Sequence, residues 1–398
     1  MTSGTGFPVT QSGLQPLAIL GGGPVGLTLA LLLAKRSVAS IVFDARTLEQ
    51  ARTDQRVLAL SLGSLQTLRA FVELPATALA PIRSVIVSSV GDFGRAVLDD
   101  DELGAEILGA TIRYGDLVAT LSAAAEANEL ITLRRPHKVV AVRQSPSSVE
   151  LELENVNELE NEQRISASLA ISAEGFGHTG AASVSHAAVV ADLELTGIGS
   201  DQAFERFTRE GPLALLPLPS STAATRRRAL VWCMKTAEAD RRIDLEDSAF
   251  IDELIAHFSE SALRVVSLHA RRRYPLHEQA RDQLVEHRMV YLGNAAQTLH
   301  PVAGQGLNLG LRDSVALAEQ IGLTHADARD PVQALHRYAQ SRRVDRAAIV
   351  ALTRFAPAFF STRFSPLALA RSIGLTALAV VPKLRREFAR LLMFGVRF

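Results

Sequence analysis

A short apolar segment near the N-terminus runs directly into three consecutive glycines, and this arrangement restricts the folds open to the chain. Residues 17–20 have strand character, and residues 27–35 follow the pattern of a helix. Between them, a G-x-G-x-x-G frame is formed by Gly21, Gly23 and Gly26. The first glycine permits a tight turn, the second lets the backbone approach a pyrophosphate, and the third lets helix and strand pack closely.

A second apolar strand, residues 40–44, ends in an acid. Asp44 follows Gly26 by eighteen residues and is placed to accept hydrogen bonds from ribose hydroxyls. The N–H groups and the dipole at the start of the intervening helix favour an anion such as a pyrophosphate. Strand, glycines, helix, second strand and acid in this order predict a dinucleotide-binding unit on a parallel sheet.

Residues 293–310 form a second glycine-rich stretch far along the chain. Four glycines and one proline lie there between an apolar strand at 289–292 and an amphipathic helix at 311–321. Such a stretch makes a tight backbone surface that a flat cofactor can approach, and it ends on the N–H groups of a helix start. The two distant segments therefore predict one nucleotide site assembled from both.

The composition is typical of an enzyme with a sizeable core. Of the 398 residues 47% are hydrophobic, and 42 basic residues balance 42 acidic ones, so we expect no nucleic-acid partner. The single cysteine, Cys233, excludes an internal disulfide and fits a reducing compartment. The histidines have no H-E-x-x-H or i,i+4 spacing, so no metal is expected.

Residues 17–34 carry no charge and could be mistaken for a membrane span. Three glycines and a proline in their first half favour a buried strand, a turn and a buried helix instead. No basic residue precedes the segment, so it is also a poor secretory signal. We therefore expect a cytoplasmic protein.

The middle of the chain is rich in predicted strands, and the part beyond residue 310 is helical in pattern. An acidic, polar segment at 154–163 predicts an exposed turn between two strands. The nucleotide signatures at both ends predict an α/β domain assembled from separate segments, with a strand-rich insertion. Strands are expected at 83–90, 149–154, 165–172, 187–195, 213–218 and 229–234.

The chain resembles the group A flavoprotein aromatic hydroxylases, and most closely the ubiquinone-biosynthesis hydroxylases such as the 2-polyprenyl-6-methoxyphenol hydroxylases. The resemblance extends from about residue 16 to residue 390. The most specific stretch is T-L-H-P-V-A-G-Q-G-L-N-L-G-L-R-D at 298–313. The others are the glycine frame with Asp44, D-Q-R-V-L-A-L-S at 54–61, R-Y-G-D-L at 113–117 and A-E-G at 173–175.

The resemblance implies an α/β fold with three parts. A Rossmann-like FAD-binding domain of the glutathione-reductase type is expected, with an inserted mixed β-sheet substrate domain and C-terminal helices. The FAD-binding domain would comprise 16–80, 105–185 and 280–330, the substrate domain 81–104 and 186–279, and the helical region 331–398.

The resemblance also implies which residues contact an extended FAD. They are Gly21, Gly23, Pro24, Val25, Gly26, Asp44, Ala45, Arg56, Arg113, Glu174, Gly175, Gly293, Asn294, Pro301, Gly304, Gln305, Gly306, Leu307 and Asn308.

Two of these positions depart from the pattern of the family. Asn294 replaces an acid that contacts the ribityl or phosphate region of FAD, and it keeps an acceptor while adding donors. Glu174 replaces an aspartate and shifts the carboxylate by one methylene.

The implied activity is hydroxylation of a polyprenylated phenol in ubiquinone formation. NAD(P)H would dock transiently to reduce FAD, and O₂ would supply the oxygen atom by way of a flavin C4a-hydroperoxide. Pro301 would form a rigid wall beside the flavin. For His300 a catalytic role and a structural role both stay open, and no side chain is assigned as the proton acceptor.

Two other functions remain open at this point. The chain could be a soluble aromatic hydroxylase of the salicylate type, or a flavin-binding scaffold of a biosynthetic complex that has lost catalysis through Glu174 and Asn294.

The C-terminal tail also has two interpretations. Residues 371–398 hold six basic residues and one acid among apolar stretches, which suits a helix lying on an anionic membrane surface or against a partner in the ubiquinone-biosynthesis complex. The first interpretation adds a peripheral position on the inner face of the cytoplasmic membrane. The second is a terminal helix that packs on its own domain.

Overall fold

The structure, a computed structural model, describes residues 15–91, 95–155, 163–175, 185–219, 225–258, 262–326, 330–361 and 365–396. The strands within these residues are β1 Leu17–Leu20, β2 Ser40–Phe43, β3 Val57–Ser61, β4 Ala80–Ile82, β5 Ser84–Ser89, β6 Arg95–Asp99, β7 Gly109–Arg113, β8 Ile131–Arg134, β9 His137–Gln144, β10 Val149–Asn155, β11 Gln163–Ala167, β12 Ala170–Ser172, β13 His186–Thr196, β14 Gln202–Phe207, β15 Pro212–Pro217, β16 Arg226–Lys235, β17 Arg264–Leu276, β18 Gln279–Ala280, β19 Val285–Glu286, β20 Met289–Tyr291 and β21 Gln297–Thr298.

The α-helices of the described residues are α1 Pro24–Ala34, α2 Leu48–Arg52, α3 Leu62–Arg69, α4 Asp100–Leu103, α5 Tyr114–Glu126, α6 Thr236–Ile243, α7 Asp247–Ile255, α8 Gln305–Ala326, α9 Val332–Ser361, α10 Ser365–Val380 and α11 Pro382–Phe394. Short 3₁₀ turns occupy Ala76–Ala78, Gly293–Ala295 and Val302–Gly304.

A six-stranded sheet in the order β19-β20-β12-β1-β2-β8 positions the nucleotide signature. Its strands are parallel apart from β19. The central strand β1 is wholly buried, and so is every residue of α1, because α5 and α8 pack over that helix. The prediction that residues 17–34 form a buried strand, turn and helix is confirmed. On the other face of the sheet, Ile41 and Phe43 pack against the β9–β11 sheet.

The predicted single strand at 165–172 is wrong. The segment contains two strands that belong to different sheets, since β11 pairs with β10 and β12 pairs with β1. The chain crosses between the sheets at Ser168, whose N–H donates to the carbonyl of Pro16 over 3.2 Å. The apolar residues of both halves are buried, so their pattern does not show where the chain leaves one sheet for the other. Most of the predicted acidic turn, 156–162, lies outside the described residues.

The predicted strands at 187–195 and 213–218 are confirmed within one residue at each end by β13 and β15. The strand predicted at 229–234 is confirmed by β16, which begins three residues earlier. These strands belong to a seven-stranded sheet in the order β17-β13-β16-β15-β14-β5-β6. One face of this sheet packs on α6 and α7 through a core that includes Trp232 and Phe250. The sheet is built from the segments assigned above to the substrate domain, and the domain boundaries themselves stay a prediction.

The helix predicted at 311–321 begins earlier than expected, because α8 starts at Gln305. Gly306 and Gly310 lie inside its first turns, although glycine weakens an isolated helix by about 1 kcal/mol. The sequence pattern therefore suggested a loop where packing against α1 holds a helix.

The C-terminal helices pack on the seven-stranded sheet and on α3. Gln305 donates from Nε2 to the carbonyl of Leu392 on α11 over 3.3 Å, and Asp345 accepts the N–H of Val396 over 2.9 Å. The interpretation of α11 as a helix that packs on its own chain is therefore confirmed. Among the described residues, no helix combines the length and the apolar character needed to cross a bilayer.

Candidate active site

The first glycine-rich turn leads from β1 into α1. Gly23 is the residue before the helix, and no side chain of the described residues caps the first N–H groups there. A Cβ on Gly26 would overlap the carbonyl oxygen of Gly21, so only glycine allows this approach of helix and strand. The helix start therefore offers backbone donors and a positive dipole end to an anion. Pro24 and Val25 form the first turn and are buried.

Asp44 lies beside this turn, at the end of β2. It is 7% exposed, and its Oδ1 accepts the N–H of Arg46 over 2.8 Å. Arg135 donates from Nη2 to the carbonyl of Gly22 over 2.5 Å and lies 3.9 Å from Asp44 Oδ2. Ala45 follows in a half-buried turn. The acid and the glycine turn are therefore brought together as predicted.

Glu174 follows β12 and lies against the same turn. A Cβ on Gly21 would be 2.8 Å from its backbone nitrogen. Burial, and then the charge of Asp44, raise the pKa of Glu174 above its ordinary value. Gly175 is exposed and has open space where a Cβ would point.

Tyr114 connects this end of the site to the next strand. A Cβ on Gly23 would lie 3.0 Å from its hydroxyl oxygen, which accepts a hydrogen bond from Arg46 Nη2 over 2.8 Å. The guanidinium of Arg56 lies 4.8 Å from the ring centroid, and its Nη2 is 2.6 Å from Asp54 Oδ2. The sequence analysis assigned no site role to Tyr114, although this residue belongs to the R-Y-G-D-L motif.

The two glycine-rich segments meet at Val25. A Cβ on Gly293 or on Gly310 would lie 3.1 or 2.8 Å from Val25 Cγ2. Ser314 of α8 donates from Oγ to the carbonyl of Val25 over 3.2 Å. Asn294 lies exposed in the 3₁₀ turn that follows β20. The prediction of one site assembled from distant segments therefore agrees with the packing.

Asn308 joins the start of α8 to β3. Its Oδ1 accepts the N–H of Ser61 over 2.9 Å and the hydroxyl of Ser64 over 2.7 Å. Its Nδ2 donates to the carbonyls of Ala59 and Gly304 over 2.9 and 2.8 Å. The side chain is thus engaged within the protein, which leaves the backbone of this turn as the part that can face a cofactor.

The backbone between Pro301 and α8 is tightly constrained. Ala303 and Gly304 both have left-handed conformations, with φ of 54° and 60°. A Cβ on Gly304 would lie 2.9 Å from Ala59 Cβ, so the turn lies close against β3. Gln305, Gly306 and Leu307 then form the first turn of α8.

His300 is buried just before this turn. Its side chain is 5% exposed, and Nδ1 has no hydrogen-bond partner among the described residues. Burial, and then the nearby His186, lower the pKa of His300 to about 4. The imidazole is therefore neutral near pH 7, which rules out a role as a cationic acid at that pH.

Arg113 is the last residue of β7, in the three-stranded sheet β3-β7-β4, and contacts the seven-stranded sheet. Its Nη2 pairs with the carboxylate of Asp192 on β13, and its Nη1 donates to the carbonyl of Gln55 over 2.6 Å. The guanidinium is thus held between the residues before β3 and the seven-stranded sheet. Its contact with a cofactor stays a prediction.

A cavity of about 480 Å³ lies beside the turn at 301–304. Its walls are β3, the inner face of the seven-stranded sheet, and α9, α10 and α11. Most lining side chains are aliphatic or aromatic, including Val87, Leu216, Val231, Leu375 and Phe388.

One carboxyl group interrupts this apolar surface. Glu205 on β14 is 8% exposed, and its carboxyl accepts a hydrogen bond from the N–H of Ala303. Burial raises the pKa of Glu205 to about 8 against the lowering effect of that hydrogen bond. The sequence analysis did not identify it, because Q-A-F-E-R-F lacks the clean polar and apolar alternation that would assign each side chain to a face. The strand is covered on both faces, which only the tertiary structure reveals.

These features fit FAD. An uncapped helix start, a close glycine turn and a buried acid at the end of β2 form the cradle that a dinucleotide needs. The second segment adds a tight backbone surface against β3 and borders an apolar cavity large enough for aromatic rings.

Comparison with known proteins agrees. Residues 15–353 match the family described as FAD binding domain. The chain is 30% identical to the ubiquinone hydroxylase UbiL of Rhodospirillum rubrum over 98% of its own length and 92% of the relative's. It is 28% identical to 3-demethoxyubiquinol 3-hydroxylase of Escherichia coli, with 93% and 96% covered.

Among solved structures, p-nitrophenol 4-monooxygenase PnpA of Pseudomonas putida matches with a TM-score of 0.72. That match covers 97% of this chain and 99% of the other, at 16% identity, and therefore concerns the fold alone. The chain belongs to the FAD binding domain family, within its ubiquinone-biosynthesis hydroxylases, and FAD is its cofactor.

Proposed function

We propose that this protein is an FAD-dependent monooxygenase that hydroxylates a polyprenylated phenol in ubiquinone biosynthesis, with NAD(P)H as reductant and O₂ as co-substrate. Two relatives that align over more than nine-tenths of both chains are named as hydroxylases of ubiquinone or demethoxyubiquinol. The observation that carries the proposal is the apolar cavity between the turn at 301–304 and the seven-stranded sheet.

The roles of the residues follow from their positions. Bound FAD supplies the redox chemistry and the activation of O₂. The start of α1 and Asp44 would hold its nucleotide end, and the turn from Pro301 to the start of α8 would hold its ring end. The apolar walls exclude water from the reacting centre, which limits side reactions of the activated oxygen with water.

The character of the cavity favours a prenylated phenol over salicylate. A salicylate carboxylate would need a cation when it is buried. The one cationic side chain among the described lining residues, Arg371, already donates from Nη1 to the carbonyl of Phe359 over 2.8 Å. The other α10–α11 side chains named in the lining are apolar and include Leu378, Phe388 and Leu392, which are available to contact a prenyl chain.

The test is turnover under ¹⁸O₂ with purified, FAD-loaded protein. A prenylated phenol in detergent should gain one ¹⁸O atom and raise NADPH or NADH oxidation, whereas salicylate should do neither. Hydroxylation of salicylate with no turnover of the prenylated phenol would favour the salicylate-type hydroxylase. A flavin that neither reductant reduces, with or without phenol, would favour the non-catalytic scaffold.

The proposal extends to a peripheral position on the inner face of the cytoplasmic membrane. Ile373, Val380 and Leu384 are 60%, 71% and 47% exposed around the α10–α11 junction, where Lys383 and Arg386 are also exposed. Exposed apolar side chains beside cations suit an anionic bilayer surface. A phenol with a long prenyl chain would enter from the same surface.

Flotation with anionic lipid vesicles tests this extension. Point substitutions are preferable to truncation, because α11 packs on the body of the protein. The double variant Val380→Asp and Leu384→Asp should lose vesicle binding. Val266→Asp, at an equally exposed valine of β17, should keep it. Equal flotation of both variants would contradict a membrane role for the α10–α11 junction.

A further inference from the structure

The inner face of the seven-stranded sheet contributes one acid to the part of the cavity lining that the structure describes. On β14, Ala203, Glu205 and Phe207 alternate onto the cavity, and neighbouring strands contribute Val87 and Ala214. Glu205 is the only carboxyl among the cavity-lining residues that the structure describes. A lone acid in such a wall costs free energy, so its presence calls for a chemical explanation.

The carboxyl group is anchored to the turn beside the predicted flavin edge. Its hydrogen-bond donor is the N–H of Ala303, a non-glycine residue in the left-handed region. That conformation is costly for alanine, so the turn is held by its surroundings. The carboxyl therefore lies where the cavity and the turn from Pro301 to Gly304 meet.

Within the part of the chain that the structure describes, no cation forms an ion pair with Glu205. Cys233 on β16 faces it, and burial, followed by the charge of Glu205, raises the pKa of that thiol well above its ordinary value. Arg371 on α10 also lines the cavity, and His300 precedes the turn in its neutral form. Burial accordingly dominates the titration of the carboxyl and raises its pKa to about 8.

We propose that the carboxylate of Glu205 accepts the phenolic proton of the substrate and is the base of the hydroxylation. This assignment rests on the proposed function. The carboxyl lines the cavity, its anionic form is stabilised by one backbone donor, and a phenol bound against the turn would bring its hydroxyl to this wall.

The proton inventory closes over one turnover. The phenol O–H bond breaks, its proton moves to a carboxylate oxygen of Glu205, and the electron pair stays on the ring oxygen. This makes the ring a stronger nucleophile toward an electrophilic oxygen. One oxygen atom of O₂ is then added at a ring carbon, and the other leaves as water, with the two electrons supplied by NAD(P)H. The same ring carbon releases its proton to solvent as aromaticity returns, and solvent supplies the protons that the departing oxygen atom needs. Glu205 then gives its proton back to the ring oxygen, and the net change is C–H to C–OH.

Burial suits this task, because a base is most effective when its pKa lies near the operating pH. An ordinary glutamate carboxylate is a far weaker base than a phenolate, because a phenol has a pKa near 10. The raised pKa of Glu205 reduces that difference. The same neutral carboxyl avoids a permanent charge in a wall that must also contact a prenyl chain.

The experiment compares the wild type and Glu205→Gln on two prenylated phenols of matched size. One phenol has ordinary acidity, and the other carries fluorine substituents that leave it ionised at the assay pH. We expect the variant to lose about 100-fold in kcat on the ordinary phenol and only a few-fold on the acidic one. The wild-type rate on the ordinary phenol should rise with pH through an ionisation near the pKa of about 8, and the variant should lack that rise.

Controls separate the base from a residue that merely supports the turn. The dissociation constant of the phenol is measured without NAD(P)H from the change in flavin absorbance. In the variant it should stay within about threefold of the wild-type value, a difference below 1 kcal/mol. Glu194→Gln, at an acid of β13 outside the cavity lining, should leave both rates unchanged. Equal loss on both phenols would assign Glu205 to positioning alone, and no loss on either would overturn the proposal outright. If the wild type hydroxylates neither phenol, the proposed function itself fails.

Discussion

The two ends of the cofactor site treat charge in opposite ways. At the nucleotide end, ions are kept and paired, since Asp44 lies 3.7 Å from Arg46 Nε and 3.9 Å from Arg135 Nη2. At the ring end, burial drives groups toward neutrality, with the pKa of Glu205 raised to about 8 and that of His300 lowered to about 4. One end recognises a charged nucleotide, and the other excludes water from a reacting ring.

Glu174 is the informative exception at the nucleotide end. Burial and the charge of Asp44 raise its pKa, although it lies next to the glycine turn. Two acids thus flank one helix start, and an anion bound there would increase the repulsion. The replacement of the shorter aspartate of similar enzymes therefore changes how charge is distributed around the phosphates rather than removing it.

Gly26→Ala should have the largest effect, and it should act on the nucleotide end of the site. The added methyl group would overlap the carbonyl oxygen of Gly21, so β1 and α1 must separate, at more than about 3 kcal/mol of unfolding free energy. FAD should be absent from the purified variant. Flavin content and the thermal midpoint measure both effects.

Gly374→Ala is the matched control, because a methyl group there meets open space on α10. It should keep its FAD, and its midpoint should stay the same or rise, because alanine favours a helix more than glycine does. A yellow, equally stable Gly26→Ala protein would mean that the nucleotide end does not depend on this close approach.

Opposite pH dependences of stability should follow from the two neutral groups of the ring end. The lowered pKa of His300 implies stability that is present above pH 6.5 and lost as pH falls toward 4. The raised pKa of Glu205 implies stability that is present below pH 4.5 and lost as pH rises through about 8. Each contribution is on the order of 3 kcal/mol.

Denaturant unfolding across the pH range tests this with one variant for each group. His300→Gln should flatten the acid side of the profile, and Glu205→Gln should flatten the alkaline side and raise stability at pH 8. Profiles that change on the same side for both variants would contradict the idea that burial alone sets the two protonation states.

A smaller effect is expected from Asp44→Asn at the nucleotide end. The substitution replaces a charged acceptor for ribose hydroxyls by a neutral one, so FAD binding should weaken roughly 10- to 100-fold. Removal of the charge should also lower the pKa of Glu174 toward its ordinary value, since Asp44 helps to raise it. Flavin fluorescence titration measures the affinity.

Glu126→Gln, an exposed acid at the end of α5, is the control and should bind FAD normally. An unchanged affinity in Asp44→Asn would remove Asp44 from the set of predicted FAD contacts.

Much of the site could be predicted from local sterics and from the periodicity of the sequence. The turn at Gly21–Gly26 could be predicted because its geometry depends on neighbours within a few residues, and β1, α1 and β2 follow it as expected. The family could also be recognised from linear motifs. These are properties that a chain carries before it folds.

Tertiary packing decided the rest. The sequence pattern ended the glycine-rich stretch at Gly310, yet α8 begins at Gln305. Its first turns are helical because they pack against α1 and because Asn308 donates a hydrogen bond to β3. The crossing at Ser168 between two sheets could not be read from the sequence, because the apolar residues on both sides of it are buried.

Glu205 illustrates the same limit most clearly. The pattern Q-A-F-E-R-F does not show which face of β14 carries the acid, and only the packing of α9, α10 and α11 against the sheet makes that position part of a cavity wall. Sequence by itself determined the nucleotide turn and the family, because those depend on adjacent residues. Burial depends on segments more than a hundred residues away, so the tertiary structure alone decided which carboxyl loses its water and becomes a candidate base.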